Sequence, residues 1–397
     1  MRIVFYSSNS NHYESQNYEN TIIPSFDKLW QDFCALHSQD EFFAVSQEPA
    51  FFMPQNECIK LDENADLQTF VQKISELKPD LVIALSFWVT PYDWLCVKDA
   101  LIAQELRLKG LKTICHSVKT ASLCFDKYQT MNFLEENNFS HAPGIFVDHD
   151  LYFCAGNQNE VRENIYKESV LSQLKNAQYP LIIKNPVGLS SYGMTVVHDY
   201  SQVYGYLNSK KNNSSRLIEK YLEGEQFGAE IYGSDGKYTV MPPFRLSVNQ
   251  YGITSPKLCR KEGPVTDEKY DIKGLCSELE RLAVALELNG FAQVDLVWSG
   301  GKWYIIEINP RLSGMTTTYA AAANLNLYEY LYRAVTDHNL PKLNLVVNKK
   351  LELMTTIQLE ELSKKDEVLF IWQIKNLAAL QERERGYCEV IQFLPTM

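Results

Sequence analysis

The sequence predicts a small doubly wound α/β domain followed by a longer region of α+β character. Three observations predict it. Over roughly the first 115 residues, short apolar strands alternate with stretches of helical spacing. From about residue 116 the pattern changes. Near residue 300, an otherwise apolar hairpin carries acidic residues at alternating positions.

In the first region, residues 2–6 read as a strand, and the polar run 7–11 follows as a loop. That loop lies at the carboxyl end of the strand, where open α/β sheets bind ligands. Residues 67–77 have helical spacing, and 80–86 form a buried strand. Residues 104–109 close a helix, and 111–115 form another strand. No GxGxxG occurs, nor does any internal repeat or low-complexity segment. One polar, linker-like stretch, 156–167, runs into a helix ending near Asn176. Beyond it, residues 121–137 read as one helix carrying Asp126 and Lys127. Residues 179–184 form a strand ending in Lys184. Residues 216–222 and 226–232 are strands around a Glu-Gly-Glu turn, and 275–288 form an amphipathic helix. After Pro341, strands are expected over 351–359 and 387–393, in a segment packing back on the core.

Composition bounds the function. The chain has 397 residues, 45% hydrophobic and 22% charged, enough for two or three domains. A net charge of −11 speaks against a nucleic-acid partner, which would demand a basic face. Nine cysteines, an odd number without a CxxC pair, argue for reduced thiols in the cytoplasm and against a disulfide framework or zinc site. The apolar start is too short for a signal-peptide core, and no run approaches the roughly 20 residues of a membrane span.

The acidic hairpin is the chemical centre of the sequence. Residues two apart on a strand share a face, so Glu307 and Asn309 point the same way. A three-residue turn of Ser299, Gly300 and Gly301 places Asp295 on that face too. A two-residue Gly-Gly turn places it on the other. Two carboxylates and an amide oxygen converging among apolar residues repel one another unless a cation lies between them. Oxygen-only ligands suit Mg²⁺. Lys184 ends an apolar strand and precedes a loop with Gly188, Ser190, Ser191 and Gly193, whose N–H and hydroxyl groups can meet phosphate oxygens. It is not a P-loop, for no Gly-Lys-Ser/Thr is present. Lys127 is a second candidate cation. The backbone after Glu219 can pair with an adenine edge, and Glu225 can accept from ribose hydroxyls. Arg245, Lys257 or Arg260 could clamp a substrate carboxylate. The seven histidines are scattered and none is assigned a catalytic role.

Taken in order, Asp126-Lys127, Ile183-Lys184, the Gly/Ser loop, Glu219-Lys-Tyr-Leu222, Glu225, Asp295 and Glu307-Ile-Asn309-Pro-Arg311 resemble the ATP-grasp superfamily motif by motif. The resemblance covers about residues 116–340, and 1–115 look like the domain that usually precedes that fold. It implies two α+β subdomains gripping ATP, a small lid over about 125–220 and a large subdomain over about 221–340, with 341–397 packed on the core. By that likeness Lys127 and Lys184 bind phosphates and the 188–193 loop closes over them. Glu219 and the Leu222 backbone meet adenine, and Glu225 meets ribose. Asp295, Glu307 and Asn309 hold Mg²⁺ as two ions, with Mn²⁺ as a substitute. Asp295 departs from members with a glutamate there. Arg311 and Lys184 are the expected catalytic residues, with Ser313 and Gly314 supplying backbone N–H groups to the oxyanion.

The expected activity is that of an amino-acid or dipeptide ligase. A carboxylate is activated as an acyl phosphate and joined to an amine, with release of ADP and phosphate. The expected partners are those two small molecules, with a homodimer as the assembly and neither nucleic acid nor membrane. A carboxylase-like or carbamoyl-phosphate-like enzyme is the alternative, and a non-catalytic ATP-binding module is a third reading.

Overall fold

The structure is a computed structural model. It describes residues 1–8, 20–47, 52–62, 64–87, 94–188, 193–249, 254, 259–374 and 387–394. Three sheets organise it. The first is parallel throughout, in the order Cys58–Leu61, Glu41–Gln47, Arg2–Ser7, Leu81–Ala84, Thr113–Ile114. Chain order reverses beside Arg2–Ser7, as in a doubly wound sheet. Helices Phe26–Leu36, Leu67–Glu76 and Leu95–Leu108 supply its crossovers, the first two capped by Ser25 and Asp66.

The second sheet is small and antiparallel: Gly144–Val147, Arg216–Lys220, Leu181–Lys184 and Thr195–Val197. One face packs Leu181, Ile183 and Ile218 against helices Ile165–Lys175 and Tyr200–Leu207. The other carries Ile182, Lys184 and Glu219, as the period of two requires.

The third sheet holds ten strands. Its path runs Lys302–Asn309, Gly290–Ser299, Glu225–Ser234, Phe244–Leu246, Lys261–Gly263, Val346–Glu352, Tyr387–Phe393, Val368–Ile374 and Asn20–Ile23, with Lys237–Val240 paired beside Glu225–Ser234. Helix Ile272–Ala285 covers the face that carries Phe227, Ala229 and Ile231. Helices Thr316–Ala322 and Leu327–Thr336 cover part of the opposite face, around Tyr232 and Phe244. Asn20–Ile23 and the strands after residue 341 thus complete one sheet from both ends of the chain. The strand expected over 351–359 is instead Val346–Glu352 followed by helix Thr356–Ser363, which begins with a capping box of Thr355 and Gln358. No helix among the described residues is long and apolar enough to cross a membrane.

The helix expected over 121–137 is two helices, Val118–Phe125 and Lys127–Glu136. Asp126 breaks it. Its backbone is extended, and its carboxylate accepts from the N–H groups of Tyr128 and Gln129. Lys127 becomes the first residue of the second helix, and its own N–H donates to the Pro186 carbonyl at 2.9 Å.

Candidate active site

The acidic hairpin closes by the shorter of the two turns that the sequence leaves open. Ser299 pairs with Lys302, so the turn is the two residues Gly300 and Gly301, at φ +56° and +78°. Positive φ at both positions is what tight hairpin turns require and what glycine allows. A regular ladder from a two-residue turn would set Asp295 and Glu307 on opposite faces. A bulge prevents it: Leu296 pairs with Ile305, and Asp295 pairs with Glu307, leaving Ile306 as the extra residue. Gln293 pairs with Asn309. Gln293, Asp295, Glu307 and Asn309 therefore share one face.

Those side chains form a chain of hydrogen bonds. Arg311 Nη2 donates to Asn309 Oδ1 at 3.1 Å, and Asn309 Nδ2 donates to Gln293 Oε1 at 3.1 Å. Gln293 Nε2 donates to Asp295 Oδ1 at 2.6 Å. Gln293 was not among the sequence candidates, although its place two residues before Asp295 is a visible signal. Burial, then the charge of Glu307, pushes the Asp295 carboxyl up. Burial also acts to raise Glu307, but the Lys127 ammonium outweighs it and holds that carboxyl down. Two facing carboxylates, one of them resisting ionisation beside the other, fit a divalent cation. Among the described residues no three His, Cys, Asp or Glu side chains form a metal cluster. A cation here would thus complete its shell with the Asn309 amide and phosphate oxygens.

Both candidate lysines are buried and both reach carboxylates. Lys127 Nζ lies 2.8 Å from Glu307 Oε1 and donates to the Gly188 carbonyl at 2.7 Å. Lys184 Nζ is paired with the buried Glu219 carboxylate. Gly193 has a left-handed backbone at φ +75°, while Ser190 and Ser191 lie outside the described residues.

Between the small sheet and the ten-stranded sheet lies a cleft open to solvent. Ile182, Lys184 and Glu219 line it from above, Asp295 and Glu307 from below, and the 220–222 segment at its back. The N–H groups of Lys220 and Tyr221 are taken by the Pro143 and Pro180 carbonyls. Leu222 lines the cleft.

Glu225 does not join these residues. It pairs with Trp298, whereas Gln226 pairs with Val297, two residues from Asp295. Gln226 thus faces the cleft and Glu225 the other side of the sheet. There the Glu225 carboxylate accepts from Tyr270 OH at 2.6 Å and lies 3.1 Å from Lys269 Nζ and 3.2 Å from Arg245 Nε. The residual burial of Glu225 acts to raise it, but those donors hold it below the ordinary value. Arg245 is turned away by the same alternation. So is Arg260, which pairs with Glu262 at 2.7 Å on the exposed side. Lys257 lies outside the described residues. Lys261, adjacent to Arg260, faces the site side instead.

Ser313 and Gly314 follow Arg311 at the entrance to helix Thr316–Ala322. Ser313 Oγ and Thr316 Oγ1 donate to the buried Glu230 carboxylate at 2.8 and 2.7 Å. Glu230 pairs with Gln293, so it belongs to the same face as the acidic set.

Residues 124–315 match the sequence profile of the ATP-grasp domain. The chain carries an ATP-grasp domain. With its doubly wound N-terminal sheet and two α+β sheets facing across a cleft, the molecule has the fold of that superfamily preceded by its customary N-terminal domain. The large chain of carbamoyl phosphate synthase from Clostridium acetobutylicum is 23% identical over 252 residues, 63% of this chain and 22% of that one. This ATP-grasp chain thus spans about a fifth of the length of that curated relative. The L-amino acid ligase from Bacillus licheniformis superposes with a TM-score of 0.64 at 15% identity, covering 99% of this chain and 93% of that one. The biotin carboxylase domain dimer of Hydrogenobacter thermophilus 2-oxoglutarate carboxylase, with MgADP and bicarbonate, gives 0.61 at 12% identity, covering 99% and 86%. At these identities the structural likeness establishes the ATP-grasp fold.

Proposed function

We propose that this chain is an ADP-forming carbon–nitrogen ligase. A carboxylate becomes an acyl phosphate, and an amine displaces the phosphate to give an amide. The observation that carries the reading is the cleft in which Asp295 and Glu307 face each other, with Lys127, Lys184 and Arg311 around them. Mg²⁺, as one ion or two, would be held by Asp295, Glu307 and Asn309, and would offset charge on the transferring phosphoryl group. Lys127 and Lys184 bind phosphates. Glu219 and the Leu222 backbone meet adenine. Gln226, in place of Glu225, faces the ribose. Arg311 and the N–H groups near Ser313 and Gly314 stabilise the oxyanion of the tetrahedral species. We assign 1–115, 116–340 and 341–397 as N-terminal, ATP-grasp and C-terminal parts. The homodimer rests on likeness to the Hydrogenobacter dimer.

The sequence similarity to carbamoyl phosphate synthase favours a second reading, in which bicarbonate is the activated carboxylate. One assay separates the readings: nucleotide products under Mg·ATP with single amino acids, pairs of them, other small acids, or bicarbonate. ADP that needs an organic acid, and amide that needs an amine as well, supports the ligase. ADP driven by bicarbonate alone supports the second reading. AMP overturns the acyl-phosphate mechanism, and tight ATP binding without turnover indicates a non-catalytic module.

A further inference from the structure

A second buried charge cluster lies on the site face of the ten-stranded sheet, away from the acidic hairpin. Lys261 pairs with Asn348, and Lys350 with Glu389, in adjoining strands. The row Val297, Gln226, Leu246, Lys261, Asn348 places Lys261 on the same face as Asp295. Lys261 Nζ lies 3.2 Å from Glu389 Oε1 and donates to the Gly314 carbonyl at 2.6 Å. Asn348 Nδ2 donates to the same Glu389 oxygen at 2.6 Å and to Thr318 Oγ1 at 2.8 Å. Lys350 Nζ lies 3.7 Å from Glu389 Oε2. All four side chains are nearly or wholly enclosed.

Such a cluster is a poor source of stability. Desolvating the charges costs several kcal/mol each, and well-packed apolar replacements are often neutral or stabilising. Its placement offers another reason for it. The Gly314 carbonyl also accepts from Thr318 Oγ1 at 3.3 Å, while Glu230 holds Ser313 and Thr316. The short turn after Arg311 is therefore held by both Glu230 and Lys261. We propose that Lys261, oriented by Glu389 and Asn348, is a positioning residue that fixes the Ser313–Gly314 turn against the reacting carboxyl. Strand Tyr387–Phe393, more than 70 residues beyond that turn in sequence, then belongs to the machinery of the site.

The proposal rests on the ligase reading for its chemistry, but one arm of its test does not. In the full chain, Glu389→Gln keeps shape and releases Lys261. Amide exchange over 313–318 should rise on the order of tenfold, with helix Leu327–Thr336 unchanged. ADP release with Mg·ATP and a mixture of L-amino acids should fall in kcat by on the order of tenfold to a hundredfold, while KM for ATP stays within about twofold. Lys261→Met should do the same, and Lys261→Arg should restore part of the loss. If Glu389→Gln does not fold, Glu389→Gln/Lys350→Gln removes one charge of each sign and leaves Lys261 in place. Unchanged exchange in the turn together with unchanged kcat overturns the proposal. If wild type releases no ADP with any acid, the ligase reading fails and the exchange arm alone decides whether Lys261 fixes the turn.

Discussion

Lys127 and Lys184 each neutralise a carboxylate in this structure, Glu307 and Glu219. On the proposed reading, nucleotide phosphates entering the cleft would exchange those partners, and Lys127 would act on the anions and on the cation site at once. Lys127→Gln should weaken Mg·ATP binding by on the order of tenfold or more, since a charge-assisted contact to an anion contributes about 1.5–3 kcal/mol. The same change should tighten Mn²⁺ binding in the absence of nucleotide, because Asp295 and Glu307 then face each other with no ammonium between them. Calorimetric titration reads the first and Mn²⁺ titration followed by electron paramagnetic resonance the second, and weaker Mn²⁺ binding in the variant would count against Glu307 as a cation ligand. A neighbouring pair distinguishes the two faces of one strand. Gln226→Ala should raise KM for ATP by roughly fivefold, the worth of one hydrogen bond. Glu225→Ala should leave KM unchanged and lose only its exposed contacts to Tyr270, Lys269 and Arg245. The reverse ranking would place ribose recognition on the outer face.

The acidic hairpin depends on a turn that only glycine adopts without strain. Gly301→Ala, at φ +78°, should lower stability by about 1 kcal/mol in thermal unfolding while ATP affinity is kept. Loss of affinity at unchanged stability would show that the turn does more than set register. How far the site was legible follows from such elements. The alternation of Glu307 and Asn309 was readable, and so was the strand ending in Lys184, because the period of two is local. The bulge at Ile306 was not readable. It is a register shift between Asp295 and Leu296, and the pattern of the two strands has no local mark for it. The same limit explains Glu225: its strand begins at that residue, one earlier than the turn signal suggested, so strand alternation points it away from the face of Gln226. Asp126 shows the opposite case: the spacing around it reads as one helix, yet its carboxylate caps Tyr128 and Gln129 and divides that helix in two. Lys261, Asn348 and Glu389 carry no local signature, since three separate strands bring them together.

At the scale of the molecule, the doubly wound sheet was visible from its alternating pattern. The joining of Asn20–Ile23 to the C-terminal strands was not, because no local periodicity encodes a pairing 350 residues apart. The consequence is mechanical. Ten strands built from both ends of the chain make a stiff floor, whereas the four-stranded sheet above it rests on its own small core. Lys127 joins Glu307 on the floor to Gly188 at the edge of the lid. Opening and closing are therefore expected in the lid, and phosphates that draw Lys127 and Lys184 together should hold it shut. With Mg²⁺ and a non-hydrolysable ATP analogue, hydrogen exchange should slow over 181–197 and 216–222. The floor strands Val346–Glu352 and Tyr387–Phe393 should stay unchanged. The Lys127→Gln variant should lose most of the lid's protection even at saturating nucleotide, because the tie between floor and lid is gone. Protection that appears in the floor but not the lid would move the nucleotide out of this cleft.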